Sequence, residues 1–334
     1  MLKGIYNKKQ ILFFSTLVVI LFSIGFLSGR GVSKDFGDRN KPCLSNLEFI
    51  NPNPGCELFE QKLSQMSALQ KRLDLEIEAY LSSGRAERIS AFARDLSSLR
   101  YVGVNDADTF FMASLLKVPL AIAYFRLSEI TPDILDQKVK YSRGSDDYSI
   151  QSIVSPEKLV NGNEYTIRDL IFRSLAYSDN AAAEILSENF VSFDYLQKIL
   201  QALGLQLRSG NITENLVTAR SYASVFRTLY NSSFLNRELS NEMLDILSKS
   251  IFSDGARKNI PKDVVVAHKF GERSLVDEQT GRTVTKQLHD CGIVYAKDGM
   301  EPYTFCIMTE GQDFDDLRSI IAKISLTIYE EITK

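Results

Sequence analysis

Histidine and cysteine are scarce in this sequence of 334 residues, and that scarcity limits the chemistry it can support. With two histidines, His268 and His289, a metal site built on a histidine cluster is not expected, and a Ser-His-Asp triad would have to use one of them. The four cysteines are too few for a disulfide scaffold and form no Cys-x-x-Cys pair. A formal net charge of −3 argues against nucleic-acid binding driven by overall charge. We therefore predict no metal, no cofactor and no nucleic-acid partner.

The N-terminal segment predicts a membrane anchor. Residues 1–10 carry three lysines, and residues 11–28 contain no charge. A helix over 11–28 would be about 27 Å long at 1.5 Å per residue, which is enough to cross a hydrocarbon core. No Ala-x-Ala cleavage site follows, which favours an uncleaved anchor over a cleaved signal peptide. Basic residues on both sides of the segment leave the orientation open on charge alone.

Residues 29–56 predict a juxtamembrane linker, because they are polar and rich in turn-forming residues. Cys43 and Cys56 flank the turn-rich stretch Asn-Pro-Asn-Pro-Gly. A local disulfide, which an oxidising compartment would allow, and two free thiols both remain open.

Residues 57–334 predict a globular domain in which strands at both ends enclose a helical block. A repeated apolar stripe predicts a helix over 57–82, and packing of this stripe on the domain's own sheet is favoured over a coiled-coil dimer. The sheet parts are expected in 57–113 and 261–334, and the helical part in 114–260. Strands are predicted at 87–95, 99–105, 263–270, 288–296 and 302–309, and an amphipathic helix at 313–333.

The last two predicted strands bring two cysteines together. Counting outward from a hairpin turn at Asp298-Gly299 places Cys291 opposite Cys306. A cross-strand disulfide and two small buried apolar side chains both fit this register, and we favour the second.

Three short segments carry the candidate chemistry, and the first is Ser114-Leu115-Leu116-Lys117. The spacing places Lys117 on the same helical face as Ser114, and apolar neighbours would lower the pKa of Lys117 by desolvation. A neutral lysine can activate a serine as a nucleophile, whereas an ordinary helix-capping role is the alternative for Ser114. A second Ser-x-x-Lys match, Ser155 to Lys158, lies in a polar loop that offers neither advantage.

The second segment is Ser178-Asp179-Asn180 before a predicted helix, and the third is Lys269-Phe270-Gly271 at the end of a strand. A serine and an asparagine at a helix start are commonly caps, but a hydroxyl can also relay a proton and an amide can hold a substrate carbonyl. A strand-end lysine facing a cleft could neutralise an anionic substrate, and Gly271 would let a ligand backbone approach closely.

In this order, with Ser178 64 positions after Ser114 and Lys269 91 positions after Ser178, the segments resemble those of class A β-lactamases and penicillin-binding proteins. The resemblance covers about residues 85–330. It implies an α+β fold in three layers, in which an antiparallel five-stranded sheet lies between helices and an all-helical subdomain is added. It also implies a catalytic domain outside the cytoplasm in a single-pass membrane protein, and a β-lactam or a peptidoglycan stem peptide as partner.

The resemblance assigns a role to each motif residue. Ser114 would be the acylated nucleophile, Lys117 its base or part of the relay that serves it, and Ser178 the proton shuttle to the leaving nitrogen. Asn180 would hold the substrate amide, Lys269 would bind the substrate carboxylate, and the backbone N–H groups of Ser114 and Glu272 would form the oxyanion hole.

Two departures from the family pattern affect the expected activity. Phe270 stands where the family usually has a threonine or serine that helps to hold the substrate carboxylate, and Arg273 is a candidate substitute. The deacylating Glu-x-x-Leu-Asn loop of class A enzymes is missing, and Glu214 in 209–217 is the acidic candidate for activating water. We therefore expect slow deacylation. A catalytically silent binding module and an esterase or amidase on the same nucleophile remain alternatives.

Overall fold

A computed structural model describes residues 66–98, 100–142, 153, 155–205, 216–277, 279–296 and 302–333. The predicted anchor, the linker with Cys43 and Cys56, Glu214 and the turn at Asp298-Gly299 lie outside the described residues. Within these ranges, no helix combines the length and the apolar character that a membrane crossing requires.

A five-stranded antiparallel sheet with the strand order β2-β1-β9-β8-β7 forms the centre of the fold. Two small two-stranded sheets pair β3 with β6 and β4 with β5. The strands are β1 (Arg88–Asp95), β2 (Tyr101–Val104), β3 (Thr109–Phe111), β4 (Lys138–Lys140), β5 (Glu164–Thr166), β6 (Leu216–Thr218), β7 (Val265–Val276), β8 (Thr283–Tyr295) and β9 (Tyr303–Gly311).

Helices cover both faces of the sheet, so the predicted three-layer α+β fold is confirmed. One face of the sheet packs against helices α1 and α8 in one apolar core. The other face packs against the helical block in a second core. The helices are α1 (Ser67–Ser82), α2 (Lys117–Ser128), α3 (Ile167–Ala176), α4 (Asn180–Glu188), α5 (Phe193–Ala202), α6 (Ala219–Tyr230), α7 (Arg237–Ser248) and α8 (Phe314–Ile332), with 3-10 turns at Ala113–Leu116 and Pro132–Asp136.

The alternation of side chains along the strands explains how one sheet serves two cores. On β9, Phe305 and Ile307 pack into the core under α1 and α8, whereas Cys306 and Met308 pack into the core of the helical block. Successive side chains of a strand point to opposite faces, so a strand covered on both sides is apolar at nearly every position. This is why the central strands could be found as apolar runs.

The predicted strands and the last helix are confirmed, but two strands are longer than expected. Strand β7 continues to Val276 and β8 begins at Thr283, because the two pair as a hairpin beyond the sheet body. Most residues of this extension are exposed or half-buried, so the apolar signal ends before the hydrogen-bonded ladder does. Helix α1 buries Leu69, Leu73 and Ile77 against the sheet, as the favoured packing of the stripe requires.

The cysteine prediction was right in register and wrong in chemistry. Cys291 and Cys306 are direct partners on β8 and β9, as the count from the turn predicted. They form a disulfide and not the pair of buried thiols that we favoured. Side chains of directly opposed residues in an antiparallel pair lie on the same face with their Cβ atoms about 5 Å apart, which brings two thiols within bonding reach.

Candidate active site

The candidate nucleophile lies in a tight turn between a short strand and a helix. Strand β3 ends at Phe111, Ser114 lies in the 3-10 turn that follows, and Lys117 begins α2. Ala113 has a φ of +47°, a left-handed conformation that a residue with a side chain adopts only at a cost of about 1 kcal/mol or more. Neither helical start in this segment has a side-chain cap, so the capping interpretation of Ser114 is wrong.

Three side chains from other elements fix the backbone on both sides of Ser114. His289 Nε2 donates to the carbonyl of Phe111 over 3.1 Å, and the N–H of Phe111 donates to Gln287 Oε1 over 3.2 Å. Both polar groups of the Phe111 peptide are thus tied to β8. On the other side of the turn, the hydroxyl of Tyr222 donates to the carbonyl of Leu115 over 2.6 Å. These contacts hold the unfavourable turn Ala113–Leu116 in place, and we call it the nucleophile turn after the candidate nucleophile Ser114.

The sheet edge approaches this turn so closely that one position requires glycine. A Cβ on Gly271 would lie 3.2 Å from the backbone nitrogen of Leu115 and from the carbonyl oxygen of Met112. That separation is tight for a Cβ contact, so a side chain would push against the turn that holds Ser114. The space beside Gly271, which we expected a ligand backbone to use, is occupied by the nucleophile turn itself.

The second motif places a hydroxyl between two buried lysine amines. Lys117 Nζ donates to the carbonyl of Ser178 over 2.5 Å and to Asn180 Oδ1 over 2.7 Å, and lies 3.3 Å from Ser178 Oγ. Lys269 Nζ donates to the same Ser178 Oγ over 2.7 Å. Asp179 caps α4 by accepting the N–H of Ala182, so neither Ser178 nor Asn180 is the cap. The structure therefore joins residues from all three sequence motifs.

Burial lowers the pKa values of Lys117 and Lys269 far below the ordinary value of a lysine side chain. Desolvation lowers the pKa of Lys117 from 10.5 to about 7, although the charges of Asp179 and Glu272 oppose this. Desolvation also lowers the pKa of Lys269 well below its usual value, the nearby Lys117 lowers it further, and Asp290 and Glu272 oppose the shift. Two amines this close in a buried site resist being charged together. A neutral lysine near pH 7 is therefore accessible.

This arrangement can move a proton. A neutral Lys117 has two N–H groups, which match the Ser178 carbonyl and Asn180 Oδ1, and a lone pair that is left to accept a proton. The Ser178 hydroxyl accepts from Lys269 and lies within 3.3 Å of Lys117, so it can pass a proton between the two amines. General acid–base catalysis needs a donor and an acceptor of this kind, matched to neutral pH.

Lys269 and Phe270 are turned away from solvent. Lys269 is 0% exposed, donates to the carbonyl of Phe270 over 2.9 Å and lies 4.1 Å from the centre of its ring. Phe270 is 1% exposed, and its ring packs 4.4 Å from the ring of Phe252 in the core under α1 and α8. Neighbouring residues of β7 face opposite sides of the sheet. The position of the expected hydroxyl is taken by Phe270, whose side chain packs into the core.

A cleft of about 400 Å³ opens over the nucleophile turn. Of the predicted site residues, Ser114, Lys117, Asn180, Glu272 and Arg273 line it. Ser178, Lys269 and Gly271 lie buried behind its wall. The guanidinium of Arg273 lies over the ring of Phe111, 4.2 Å from its centre. The other lining residues are Ala113, Leu116, Leu120, Ala183, Glu184 and Ser187.

Neither histidine lines this cleft, so a Ser-His-Asp triad is not formed. His268 Nδ1 is 2.7 Å from Asp290 Oδ1, and both residues are buried. The ring of His289 is engaged with Phe111, and burial lowers its pKa to about 4. Across the part of the chain that the structure describes, no group of three or more His, Cys, Asp or Glu residues could hold a metal ion. Lys117, whose pKa is lowered by burial to about 7, lines the cleft together with Ser114.

Three residues around this site, Tyr222, Gln287 and Glu184, were not predicted from the sequence. Tyr222 and Gln287 act through backbone groups more than 100 residues away in the chain, and no local pattern marks such partners. Glu184 lines the cleft four residues after Asn180, and the spacing of one helical turn could have revealed it.

Comparisons with known proteins agree on one family. A sequence model described as the beta-lactamase enzyme family matches residues 72–332. The chain is 24% identical over 286 residues to beta-lactamase VEB-1 of Pseudomonas aeruginosa, a match that spans 79% of this chain and 92% of that protein. A beta-lactamase of Bacteroides uniformis is also 24% identical over 286 residues, spanning 80% of this chain and 93% of its own.

Solved structures share the fold at low identity. The extended-spectrum beta-lactamase TLA-3 superposes with a TM-score of 0.68 at 19% identity, over 80% of this chain and 99% of that one. PBP-A superposes with a TM-score of 0.64 at 17% identity, over 80% and 97% of the two chains. An acyl-enzyme complex of a PBP-A mutant with penicillin G gives a TM-score of 0.65 at 17% identity, over 83% and 99%.

Proposed function

Because this chain belongs to the beta-lactamase enzyme family and is a serine hydrolase, we propose that it forms an acyl-enzyme on Ser114 with a β-lactam or a peptidoglycan stem peptide and releases the acyl group slowly. The observation that carries the proposal is the Ser178 hydroxyl held between the amines of Lys117 and Lys269, next to a cleft that exposes Ser114.

The proposed acylation gives each group of the site a defined step and leaves Lys117 and Ser178 in the protonation states in which they began. Ser114 Oγ attacks the substrate carbonyl carbon while the neutral amine of Lys117 takes up its proton. The negative charge that develops on the carbonyl oxygen is received by the backbone N–H groups of Ser114 and Glu272, a contribution of about 3 kcal/mol per donor. Ser178 passes a proton to the leaving nitrogen as the carbon–nitrogen bond breaks, and Lys117 returns the proton to Ser178. Asn180 holds the amide of the acyl group.

Slow release of the acyl group follows from the missing water-activating loop. Deacylation needs a base positioned to deprotonate water, and the sequence has no Glu-x-x-Leu-Asn segment after Asn180. Glu214 is the acidic residue we propose as a weak candidate for this task. The PBP-A mutant mentioned above was captured as an acyl-enzyme with penicillin G, which shows that a relative with this fold can hold such an intermediate.

Substrate carboxylate recognition is assigned to Arg273. Lys269 is sealed behind the cleft wall and Phe270 points into the opposite core, so neither side chain meets solvent. Arg273 lines the cleft with its guanidinium steadied by the Phe111 ring. The core-facing Phe270, in place of the expected hydroxyl, and the missing loop favour a second candidate function, a module that binds cell-wall peptide without catalysis.

We also propose that residues 11–28 anchor the protein in a membrane and that the catalytic domain lies outside the cytoplasm. The support is the uncharged run of 18 residues and the proposed cell-wall substrate. Peptidoglycan is outside the cytoplasmic membrane, so an enzyme that acts on it has to face that side.

Rapid mixing with a chromogenic cephalosporin tests the proposed function. Fast acylation and slow release predict a burst of one product equivalent per protein, followed by slow turnover. The absence of both a burst and turnover would favour the silent binding module. Rapid continuous turnover would contradict slow deacylation and direct attention to Glu214.

The hydroxyl of Tyr222 is expected to matter for both stability and acylation. Pro119 has no N–H to give to the Leu115 carbonyl, so Tyr222 supplies a bond that α2 cannot make. Tyr222→Phe is expected to reduce the free energy of unfolding by about 1 to 3 kcal/mol and to slow acylation of Ser114 by penicillin G. Thermal unfolding and the acylation rate measure the two effects.

Tyr124→Phe is the matched control for this prediction. Its buried hydroxyl donates to the carbonyl of Leu186 over 2.6 Å, away from the nucleophile turn. We expect a similar loss of stability and an unchanged acylation rate. Equal slowing in both variants would mean that Tyr222 acts on overall stability and not on the turn.

A further inference from the structure

The amine of Lys269 is fully engaged by groups of the protein itself. Its Nζ donates to Ser178 Oγ over 2.7 Å and to the carbonyl oxygen of Phe270 over 2.9 Å, and it lies 4.1 Å from the centre of the Phe270 ring. A neutral amine has two N–H donors and an ammonium group has three. Among the residues that the structure describes, the two oxygens and the ring face account for these donors in either protonation state.

Phe270 provides two of these three contacts, and its ring is held in the core. The ring is buried and its centre lies 4.4 Å from that of the Phe252 ring. A ring that is packed in this way cannot swing aside without opening a void, which a close-packed interior opposes. Phe270 therefore keeps the amine of Lys269 covered when a substrate enters the cleft.

The surroundings of Lys269 also weaken its attraction for an anion. A substrate in the cleft meets the residues that line it, and Lys269 is not one of them. Desolvation and the nearby Lys117 lower the pKa of Lys269 well below its usual value, so the charged form is disfavoured at neutral pH. The contact through which Lys269 can serve the reaction is the one to Ser178 Oγ.

A site that gains little from a substrate carboxylate does not require one. In a penicillin or in a peptide with a free end, this carboxylate lies on the side of the leaving nitrogen. Blocking it leaves the chemistry unchanged: Ser114 Oγ bonds to the carbonyl carbon, the carbon–nitrogen bond breaks, and Ser178 gives the nitrogen a proton. Esters, amides and peptides that continue beyond the scissile bond therefore remain possible acyl donors.

We propose that Phe270 withdraws Lys269 from the substrate, and that the site accepts acyl donors whose leaving part has no carboxylate about as readily as those that have one. The inference rests on the proposed function, since it concerns the acyl donors that react with Ser114. Arg273 lines the cleft and remains the proposed partner of a carboxylate there. An ion pair that is open to solvent is worth about fivefold at most.

Penicillin G and its methyl ester test this with one change of charge. The second-order rate constant for acylation of the full-length protein is measured for each, and the intact mass of the labelled protein shows that the adduct from the ester keeps its methyl group. We expect the acid to react no more than about fivefold faster than the ester. An acid-to-ester ratio above about tenfold overturns the proposal, because a buried, hydrogen-bonded charge pair is worth about thirtyfold or more.

Lys269→Met separates proton relay from carboxylate binding. Methionine fits a buried position but cannot donate to Ser178 Oγ, so acylation by both compounds is expected to slow by about tenfold or more. The acid-to-ester ratio is expected to stay within about twofold of the wild-type ratio. A larger fall in the ratio would mean that Lys269 binds the carboxylate.

Phe270→Leu and Phe252→Leu form a matched pair, because both remove a ring from the same aromatic contact and only Phe270 touches Lys269. Phe270→Leu uncovers the amine and is expected to raise the acid-to-ester ratio by about threefold or more. Phe252→Leu is expected to keep the wild-type ratio. Unfolded protein lowers both rates alike, so the ratio does not depend on any loss of stability.

The outcomes separate this inference from the proposed function. Labelling by penicillin G with a high acid-to-ester ratio in the wild type, or with the same ratio in the wild type and both leucine variants, overturns the role of Phe270 and leaves the acyl-enzyme proposal standing. Absence of labelling by both the acid and the ester overturns the proposed function as well.

Discussion

Replacing Ser114 with alanine is expected to abolish labelling by a fluorescent penicillin, with a fall in acylation rate of roughly 10⁴ to 10⁶. The variant lacks the oxygen that forms the acyl bond, while the lysine pair and Asn180 remain in place. The bonds that hold the turn go to backbone groups of Phe111 and Leu115, so the fold is expected to survive. Gel fluorescence measures the labelling, and circular dichroism checks the fold.

The second Ser-x-x-Lys segment supplies the matched control. Ser155 is buried, its hydroxyl donates to the carbonyl of Glu157 over 2.7 Å, and it does not line the cleft. Ser155→Ala is therefore expected to label like the wild type. A labelled Ser114 variant, or loss of label in a folded Ser155 variant, would show that the nucleophile has been misassigned.

Replacing Lys117 with methionine is expected to slow acylation by about 10² to 10⁴. Methionine fits the apolar surroundings of α2 but cannot accept the proton of Ser114. In the wild type the base is active when neutral, and its pKa is lowered by burial to about 7. The acylation rate should therefore rise with pH through about 7 and level off above it, because the neutral fraction rises and then saturates. The variant should lose this rise.

Stopped-flow acylation rates across this pH range test the assignment. Lys158→Met, in the second Ser-x-x-Lys segment, is expected to keep both the rate and the pH profile, since Lys158 is exposed and outside the cleft. A wild-type rate that does not change around pH 7, or a Lys117 variant that keeps the rise, would remove Lys117 from the role of base.

The fold was predictable where burial leaves a pattern in the sequence. Strand β9 is buried at nearly every position and contains the apolar run Phe305–Met308 because both of its faces are covered, and α8 shows a regular stripe because one of its faces is covered. The part of the β7–β8 hairpin that extends beyond the other strands has neither an apolar run nor an apolar stripe. The end of β7 and the start of β8 were therefore not predicted. The register of Cys291 and Cys306 could be counted, but register alone does not decide between thiols and a disulfide.

The residues of the site were predictable from their motifs, whereas their environment was not. Motif order singled out Ser114, Lys117, Ser178 and Lys269, and hydrogen bonds connect the last three of these in the structure. The complete burial of Lys269 depends on how β7 packs against the turn Ala113–Leu116 and on the contact with Ser178, which no local pattern reports. Gln287 and Tyr222 likewise act on the nucleophile turn from distant parts of the chain.

Intact-mass spectrometry of the full-length protein with penicillin G shows directly whether Ser114 forms an acyl-enzyme. We expect an added mass of one penicillin G that persists after the free drug is removed, in the wild type and not in Ser114→Ala. No added mass together with no consumption of the drug would contradict an acyl-enzyme on Ser114.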